Sequence, residues 1–169
     1  MKKESTLEKL KKELKLIQES FDIAQTLPLK KNSSKKLKYI VFSIKNEKYA
    51  WPLLYLKEII INQNIIPIPG EINTYNGVFN YKNRVVPVIN MKYYLDILIP
   101  EIKSINILMV TNKLPVEISI PVENLISIIS IEKDNIKPNT LKSKNASLIK
   151  GEILFNNEII SILNPESFF

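Results

Sequence analysis

The side chains that could carry out acid-base, nucleophilic or metal chemistry in this chain are chiefly carboxylates and lysines. The sequence contains no cysteine and no histidine, which excludes disulfides, thiolate nucleophiles, Cys/His zinc sites and Ser-His triads. No spacing along the chain pairs carboxylates and lysines as an acid and a base would have to be paired. We therefore predict a protein that is not an enzyme and that holds no cofactor and no metal.

One charged pair, Lys57-Glu58, interrupts the apolar segment 54–61. Glu58 lies between apolar neighbours, so we predict that it faces a partner in preference to bulk solvent. Leu56 and Ile59 fit a protein core and an interface about equally well, because a buried strand presents apolar residues at the same spacing. The segment is therefore a candidate for recognition of another protein.

Residues 65–91 concentrate the residue types that control backbone geometry. Two of the three glycines and three of the ten prolines lie in this stretch: Gly70, Gly77, Pro67, Pro69 and Pro87. Glycine permits positive φ, whereas proline fixes φ and lacks a donor. The stretch is thus shaped by its backbone, which indicates a binding surface, and for Gly77 we predict a turn first and a partner contact second.

Short segments rich in β-branched and aromatic residues recur along the chain with turn signals between them. The predicted strands are 39–44, 48–53, 78–81, 85–90, 104–111, 116–122, 125–131, 147–154 and 158–163. A short helix is predicted at 91–98, ended by Pro100. This spacing of strands indicates an all-β barrel or sandwich.

The N-terminal residues have a different pattern. A capping box at Ser5-Thr6-Leu7-Glu8 begins a predicted amphipathic helix over about residues 6–25. Its apolar seam keeps heptad spacing and consists of Leu7, Leu10, Leu14, Ile17, Phe21 and Ala24. A flexible basic linker is predicted at 30–38. The seam could pack on the body of the chain, on a partner helix or, less favourably, on a membrane surface.

The net charge of +7 is carried mainly by the N-terminal part. Residues 1–38 contain 11 lysines and 5 acidic residues, whereas residues 39–169 contain 13 basic and 12 acidic residues. The nearly neutral body lacks the basic face that nucleic-acid binding needs. Since no apolar run reaches the ~18 residues of a membrane span, we expect a cytoplasmic protein without nucleic acid as partner and without direct membrane insertion.

The order of several short motifs resembles the CheW-like family of adaptors, which couple chemoreceptors to a histidine kinase in bacterial chemotaxis. The motifs run through Tyr49-Ala50, Leu56-Lys57-Glu58-Ile59, Ile66-Pro67-Ile68-Pro69-Gly70, Gly77-Val78-Phe79-Asn80-Tyr81, Val85-Val86-Pro87-Val88-Ile89-Asn90-Met91, Val122-Glu123-Asn124-Leu125, Ile149-Lys150-Gly151 and Leu163-Asn164. The resemblance divides the chain into a basic helix with its linker, residues 1–37, and a CheW-like domain, residues 38–169.

The resemblance implies two intertwined five-stranded SH3-like barrels with short helices, with the amphipathic N-terminal α-helix as an addition. It implies two partners for a non-enzymatic scaffold: the regulatory domain of a CheA-type histidine kinase and the cytoplasmic helical hairpin of a chemoreceptor, which docks in an apolar groove between the barrels. It also implies a location at membrane-associated chemoreceptor clusters.

Carried over residue by residue, the resemblance predicts partner contacts at Leu56, Glu58, Ile59, Gly77, Asn80, Lys82 and Asn83. The chain departs from the family pattern at Lys82-Asn83, where an Arg-Gly turn is expected. Asn83 tolerates the left-handed backbone that such a turn needs, but Lys82 lacks the planar fork of arginine. A divergent CheW-like protein that serves another motility pathway, or that tunes array architecture without full kinase coupling, is the alternative.

Overall fold

A computed structural model describes residues 12, 15–20, 22–23, 36–45, 47–69, 73–96, 107–140 and 146–168. Within these residues the strands, in chain order, are β1 (Lys36–Ile44), β2 (Glu47–Pro52), β3 (Leu56–Ile61), β4 (Tyr75–Tyr81), β5 (Arg84–Ile89), β6 (Ile107–Thr111), β7 (Ser119–Val122), β8 (Asn124–Glu132), β9 (Lys137–Pro138), β10 (Ile149–Phe155) and β11 (Glu158–Leu163). The predicted all-β class is therefore confirmed.

The strands form two sheets with matching connectivity. The first sheet has the order β8-β1-β2-β11-β10-β9, and the second has the order β3-β6-β7-β5-β4. Neighbouring strands are antiparallel except for two pairs, β11 with β2 and β5 with β7, which are parallel. Each strand of the first sheet except β9 thus has a counterpart in the second sheet: β8 corresponds to β3, β1 to β6, β2 to β7, β11 to β5 and β10 to β4.

The chain follows this pattern twice, first with β1 to β5 and then with β6 to β11. Each of the two passes begins in one sheet and ends in the other. Strands β1 and β2 lie in the first sheet, but β3, β4 and β5 lie in the second. The next two strands, β6 and β7, remain in the second sheet before β8 to β11 return to the first. Each sheet therefore combines strands from both passes, which is the intertwined arrangement that the resemblance implied. The two-residue strand β9 makes the first sheet six-stranded instead of five-stranded.

The two hairpins β4–β5 and β10–β11 are equivalent by sequence as well as by position. Residues 75–91 align without a gap on residues 149–165, and Gly77 falls on Gly151. A Cβ on Gly77 would lie 2.6 Å from the carbonyl oxygen of Ile66, and one on Gly151 would lie 2.6 Å from that of Lys137. Each glycine lies inside a strand, so the turn predicted for Gly77 is wrong; close approach of a second backbone requires glycine there.

Strands β1 and β6 are buried on both faces because they separate two apolar cores. Alternate side chains of a strand point to opposite faces, and in β1 Ile40, Phe42 and Ile44 enter one cluster while Tyr39 and Val41 enter another. The larger cluster receives side chains from both sheets, and we call it the inter-sheet cluster. Its largest fully buried members include Trp51 and Phe168, whose rings lie 5.8 Å apart.

A short α-helix, Met91–Leu95, follows β5 and begins where the sequence predicted, but it ends before the predicted residue 98. The side chain of Asn90 accepts a hydrogen bond from the backbone N–H of Lys92 and so caps the first turn. Asp96 ends the helix in the left-handed conformation, with φ of 57°. Met91 is fully buried in the inter-sheet cluster, so the helix is held in place by its first residue.

Residues 12, 15–20 and 22–23 are helical, within the range predicted for the N-terminal helix. Outside the described residues lie the other seam residues, Leu7, Leu10, Leu14, Phe21 and Ala24. Gly70 of the stretch 65–91 and Pro100, which was expected to end the helix at 91–98, lie outside them as well. Ile17 is partly buried and packs against the inter-sheet cluster. In the part of the chain that the structure describes, no helix has the length and apolarity required to cross a membrane.

Candidate functional site

Strand β3 presents its charged pair at the surface because it contains a bulge. Its register with β6 passes from Leu56 opposite Thr111 to Glu58 opposite Val110, so that Lys57 is the extra residue. A bulge changes the direction in which neighbouring side chains point. Leu56 is fully buried, whereas Lys57 and Glu58 both retain exposed surface.

Glu58 connects β3 to the β4–β5 hairpin through one carboxylate oxygen. Its Oε2 accepts a hydrogen bond from the Tyr81 hydroxyl and another, at 2.7 Å, from Lys82 Nζ. Tyr81 is the last residue of β4 and Lys82 opens the turn. The end of the hairpin is thereby joined to β3, the strand at the opposite edge of the same sheet.

A second carboxylate, Glu117, binds two cations beside this pair. It forms ion pairs with Lys57 and with Arg84, whose Nη1 lies 3.1 Å from Glu117 Oε2. The charged groups of Lys57, Lys82 and Arg84 lie 5.2, 4.9 and 5.5 Å from the centre of the Tyr81 ring, within the ~6 Å range of cation–π attraction. We call this group the charged cluster: Lys57, Glu58, Tyr81, Lys82, Arg84 and Glu117.

The charged cluster keeps Glu58 ionised. Partial burial acts to raise the pKa of Glu58, but the hydrogen bonds from Lys82 and Tyr81 and the charges of Lys82 and Lys57 outweigh it and hold the pKa below its ordinary value. The pKa of Tyr81 is raised, first by burial and then by Glu58. The hydrogen bond to Glu58 raises the pKa of Lys82. Near neutral pH the surface therefore presents a fixed carboxylate bound to a fixed cation.

The turn between β4 and β5 is built by Lys82 and Asn83, both with positive φ, of 48° and 63°. The Asn80 side-chain oxygen accepts a hydrogen bond, at 3.1 Å, from the backbone N–H of Asn83. Two successive residues with positive φ are typical of a two-residue hairpin turn. Lys82-Asn83 thus forms a tight turn without glycine.

Two exposed apolar side chains lie on or beside the same hairpin. Val85 is 72% exposed and lies directly opposite Asn80 across the two strands. Ile66 is 57% exposed and forms an isolated bridge with Val78 of β4. Exposed apolar side chains together with charged groups are typical of the composition of a protein interface. Among the described residues, no group of three or more acidic, histidine or cysteine side chains could hold a metal ion.

Comparison with known proteins assigns this fold to a family. The sequence profile of the CheW-like domain matches residues 38–169, which is most of the chain. The chain belongs to the CheW-like domain family. The resemblance given by the motifs above is therefore confirmed, and the match begins two residues after the start of β1.

Two relatives and one solved structure illustrate the family. The chain is 23% identical over 130 residues to a chemotaxis protein CheW of Thermotoga maritima, covering 77% of this chain and 85% of that protein. It is 19% identical over 143 residues to a chemotaxis protein CheW of Treponema pallidum, covering 81% and 84%. The crystal structure of the scaffolding protein TtCheW from Thermoanaerobacter tengcongensis has the same fold, with a TM-score of 0.71, 20% identity and coverage of 79% of this chain and 92% of that one.

The structure places the seven predicted contact residues at two depths. Glu58, Asn80, Lys82 and Asn83 lie together at the surface, joined by hydrogen bonds between β3 and the hairpin turn. Leu56 is fully buried and Ile59 partly buried, and both belong to the inter-sheet cluster or pack against it. Gly77 is buried beside Ile66. In this structure Leu56 and Gly77 lie beneath the surface, and Ile59 is only partly exposed.

Four members of the charged cluster are absent from the predicted contacts: Lys57, Tyr81, Arg84 and Glu117. Three of them, Lys57, Tyr81 and Arg84, adjoin predicted residues in sequence, so the segments around them offered a local signal. Glu117 precedes β7 and is distant in sequence from the others. It reaches the hairpin because β5 and β7 pair in parallel at Val88 and Ser119, a relationship that no local pattern predicts.

Proposed function

We propose that this chain is a non-enzymatic adaptor that couples chemoreceptors to a CheA-type histidine kinase in bacterial chemotaxis. The observation that carries the proposal is the charged cluster on β3 and the β4–β5 hairpin, with the exposed Val85 directly after Arg84, in a chain that belongs to the CheW-like family. The names of two relatives, both chemotaxis proteins, support the same process.

The surface is suited to recognising a protein through shape and charge together. The hydrogen bonds of Glu58 to Tyr81 and Lys82 hold both charges in place before a partner arrives, and preorganised groups lose less conformational entropy on binding. The exposed side chain of Val85 supplies an apolar anchor beside them. We assign this surface to the regulatory domain of the kinase.

The receptor requires a different kind of contact. A receptor hairpin consists of helices, and an amphipathic helix binds by placing its apolar face in an apolar groove. The inter-sheet cluster is the place where the two barrels meet, and Ile59 is one of the partly buried side chains packed against it. We assign the groove above this cluster to the receptor, which would locate the adaptor at membrane-associated receptor clusters.

The test is a binding assay in which the purified full chain meets the kinase regulatory domain and a receptor cytoplasmic fragment separately. We expect both to bind. Glu58→Lys should weaken kinase binding by about tenfold, as expected when one charge of a hydrogen-bonded pair is reversed at an interface. Glu158→Lys, at the equivalent hairpin of the first sheet, is the matched control and should leave kinase binding unchanged.

Binding to neither fragment would contradict the adaptor function. Binding to only one would favour the divergent relative, which tunes array architecture or serves another motility pathway. The replacement of the expected Arg-Gly turn by Lys82-Asn83 is the observation that keeps this second function in view.

A further inference from the structure

The N-terminal helical residues lie outside the part of the chain that matches the CheW-like domain, so family membership assigns them no role. Within them, two neighbouring apolar side chains have different surroundings. Ile17 is partly buried and packs against the inter-sheet cluster, whereas Leu16 is 59% exposed. The side of the helix that carries Ile17 therefore faces the body of the chain.

The cluster that Ile17 contacts is built by both sheets. Phe42 and Trp51 enter it from the first sheet, and Met109 and Ile120 enter it from the second. The proposed function places the receptor helix above this same junction, and the inference that follows rests on that proposal. An N-terminal helix and a receptor helix that both use apolar side chains to cover one junction cannot occupy it together.

We propose that the N-terminal helix is an internal competitor that covers the receptor groove and is displaced when a receptor helix binds. Its sequence has the chemistry of such a ligand, because the predicted seam that contains Ile17 is amphipathic with heptad spacing. An attached segment acts at high effective concentration, so a weak contact is enough to compete. The partial burial of Ile17 fits a contact that a partner can replace.

The surface of the helix is stabilised independently of the groove. Lys15 and Glu19 form an ion pair at 4.0 Å, Gln18 donates to Asp22 at 3.2 Å, and the Ser20 hydroxyl donates to the Leu16 carbonyl at 2.8 Å. These contacts connect successive turns of the same helix and leave the groove side to Ile17. A substitution at Ile17 should therefore release the helix from the body without removing its local hydrogen bonds.

The test uses the full chain with Ile17→Asp and, as the matched control, Leu16→Asp. The two variants carry the same charge change at adjacent positions. When the helix covers the groove in part of the molecules, the apparent affinity for the receptor falls in proportion to the fraction that remains open. We therefore expect Ile17→Asp to bind the receptor fragment at least about threefold more tightly than the unmodified chain. Leu16→Asp should bind as the unmodified chain does. Equal or weaker binding by Ile17→Asp would overturn the proposal.

Amide hydrogen exchange over residues 15–20 gives a second readout. We expect these amides to exchange faster in Ile17→Asp than in the unmodified chain, and faster in the unmodified chain after receptor fragment is added. Slower exchange on adding the fragment would show that the helix joins the receptor site, which would overturn the competition. If no variant binds the receptor fragment, the adaptor function fails, whereas unchanged exchange in Ile17→Asp alone rejects the internal contact and leaves the adaptor function standing.

Discussion

Arg84 and Glu158 occupy equivalent positions in the two hairpins but carry opposite charges. Arg84 pairs with Glu117, and Glu158 pairs with Lys48. Their partners Glu117 and Lys48 are equivalent too. Glu117 lies two residues before Ser119, which pairs with Val88, and Lys48 lies two residues before Ala50, which pairs with Ile162. The repeated fold therefore contains the same ion pair twice, with its polarity reversed, so the two hairpin ends present different charge patterns to other molecules.

The ion pairs at these positions should differ in strength. The Glu117 side chain is 20% exposed and binds two cations, whereas that of Glu158 is 53% exposed and binds Lys48. We expect Glu117→Gln to lower the free energy of unfolding by roughly 1 kcal/mol, and the control Glu158→Gln by less than about 0.5 kcal/mol. Urea unfolding measures both. Equal losses would show that the second cation on Glu117 adds no stability.

The equivalent glycines should be sensitive to the smallest side chain. Gly77→Ala and Gly151→Ala each place a Cβ about 2.6 Å from a backbone carbonyl oxygen, which cannot move without shifting a paired segment. We expect each to cost roughly 1–3 kcal/mol, the range for overpacking. Lys150→Ala, one residue from Gly151 and exposed, is the control and should change stability little. A neutral Gly77→Ala would show that the bridging segment at Ile66 is readily displaced.

Stability should fall at alkaline pH. Burial, and then the hydrogen bond and charge of Glu47, raise the pKa of Tyr49 well above its ordinary value of 10.0, and burial also raises the pKa of Tyr39. A raised folded pKa gives stability that is present below the unfolded pKa and is lost as pH rises toward the folded value. The free energy of unfolding should thus decrease above about pH 10. Tyr49→Phe should reduce this slope.

Stability should also respond to acid through Glu58. Its folded pKa lies below the ordinary value of 4.5, so its contribution is present above that value and is lost as pH falls through the lower folded pKa. In Glu58→Gln this acid-dependent loss should be smaller than in the unmodified chain, when unfolding is followed between about pH 5 and 3. An unchanged acid profile would mean that Lys82 and Tyr81 do not stabilise the carboxylate.

Restoring the turn expected for the family tests whether the departure matters for function. Lys82→Arg with Asn83→Gly should leave stability nearly unchanged, because glycine accepts the φ of 63° found at Asn83. If the arginine fork contributes to kinase recognition, the double variant should bind the regulatory domain several-fold more tightly. Asn83→Gly alone is the control for the backbone. Equal affinity for all three proteins would remove the departure as an argument for a divergent function.

The sequence predicted the strands well because their apolar residues are β-branched and bounded by clear turn signals. The segment of β3 was predicted only as an apolar segment and not as a strand, and strand β9 escaped prediction because Lys137-Pro138 is exposed and only two residues long. It exists because Gly151 and Glu152 of β10 offer it a pairing edge. The role of Gly77 was misjudged for the same reason: the requirement for glycine comes from Ile66, a residue that reaches it only through the fold.

The candidate site was predictable only where it is local in sequence. Asn80, Lys82 and Asn83 belong to one hairpin, and their turn could be inferred from residue type. The depth of Leu56 could not be inferred, because the bulge at Lys57 decides which side of β3 faces the core. Glu117 could not be placed without the parallel pairing of β5 with β7.

The exchange of strands between the two sheets has a consequence for synthesis of the protein. Strands β1 and β2 leave the ribosome early, but their neighbours in the first sheet, β8 and β11, are translated late. The second sheet completes its set with β7 and can close first, while β1 and β2 wait with unpaired edges. Cutting the chain at any single point between β5 and β6 would separate both barrels into halves. The first barrel can therefore be completed only after the whole of the second has been translated.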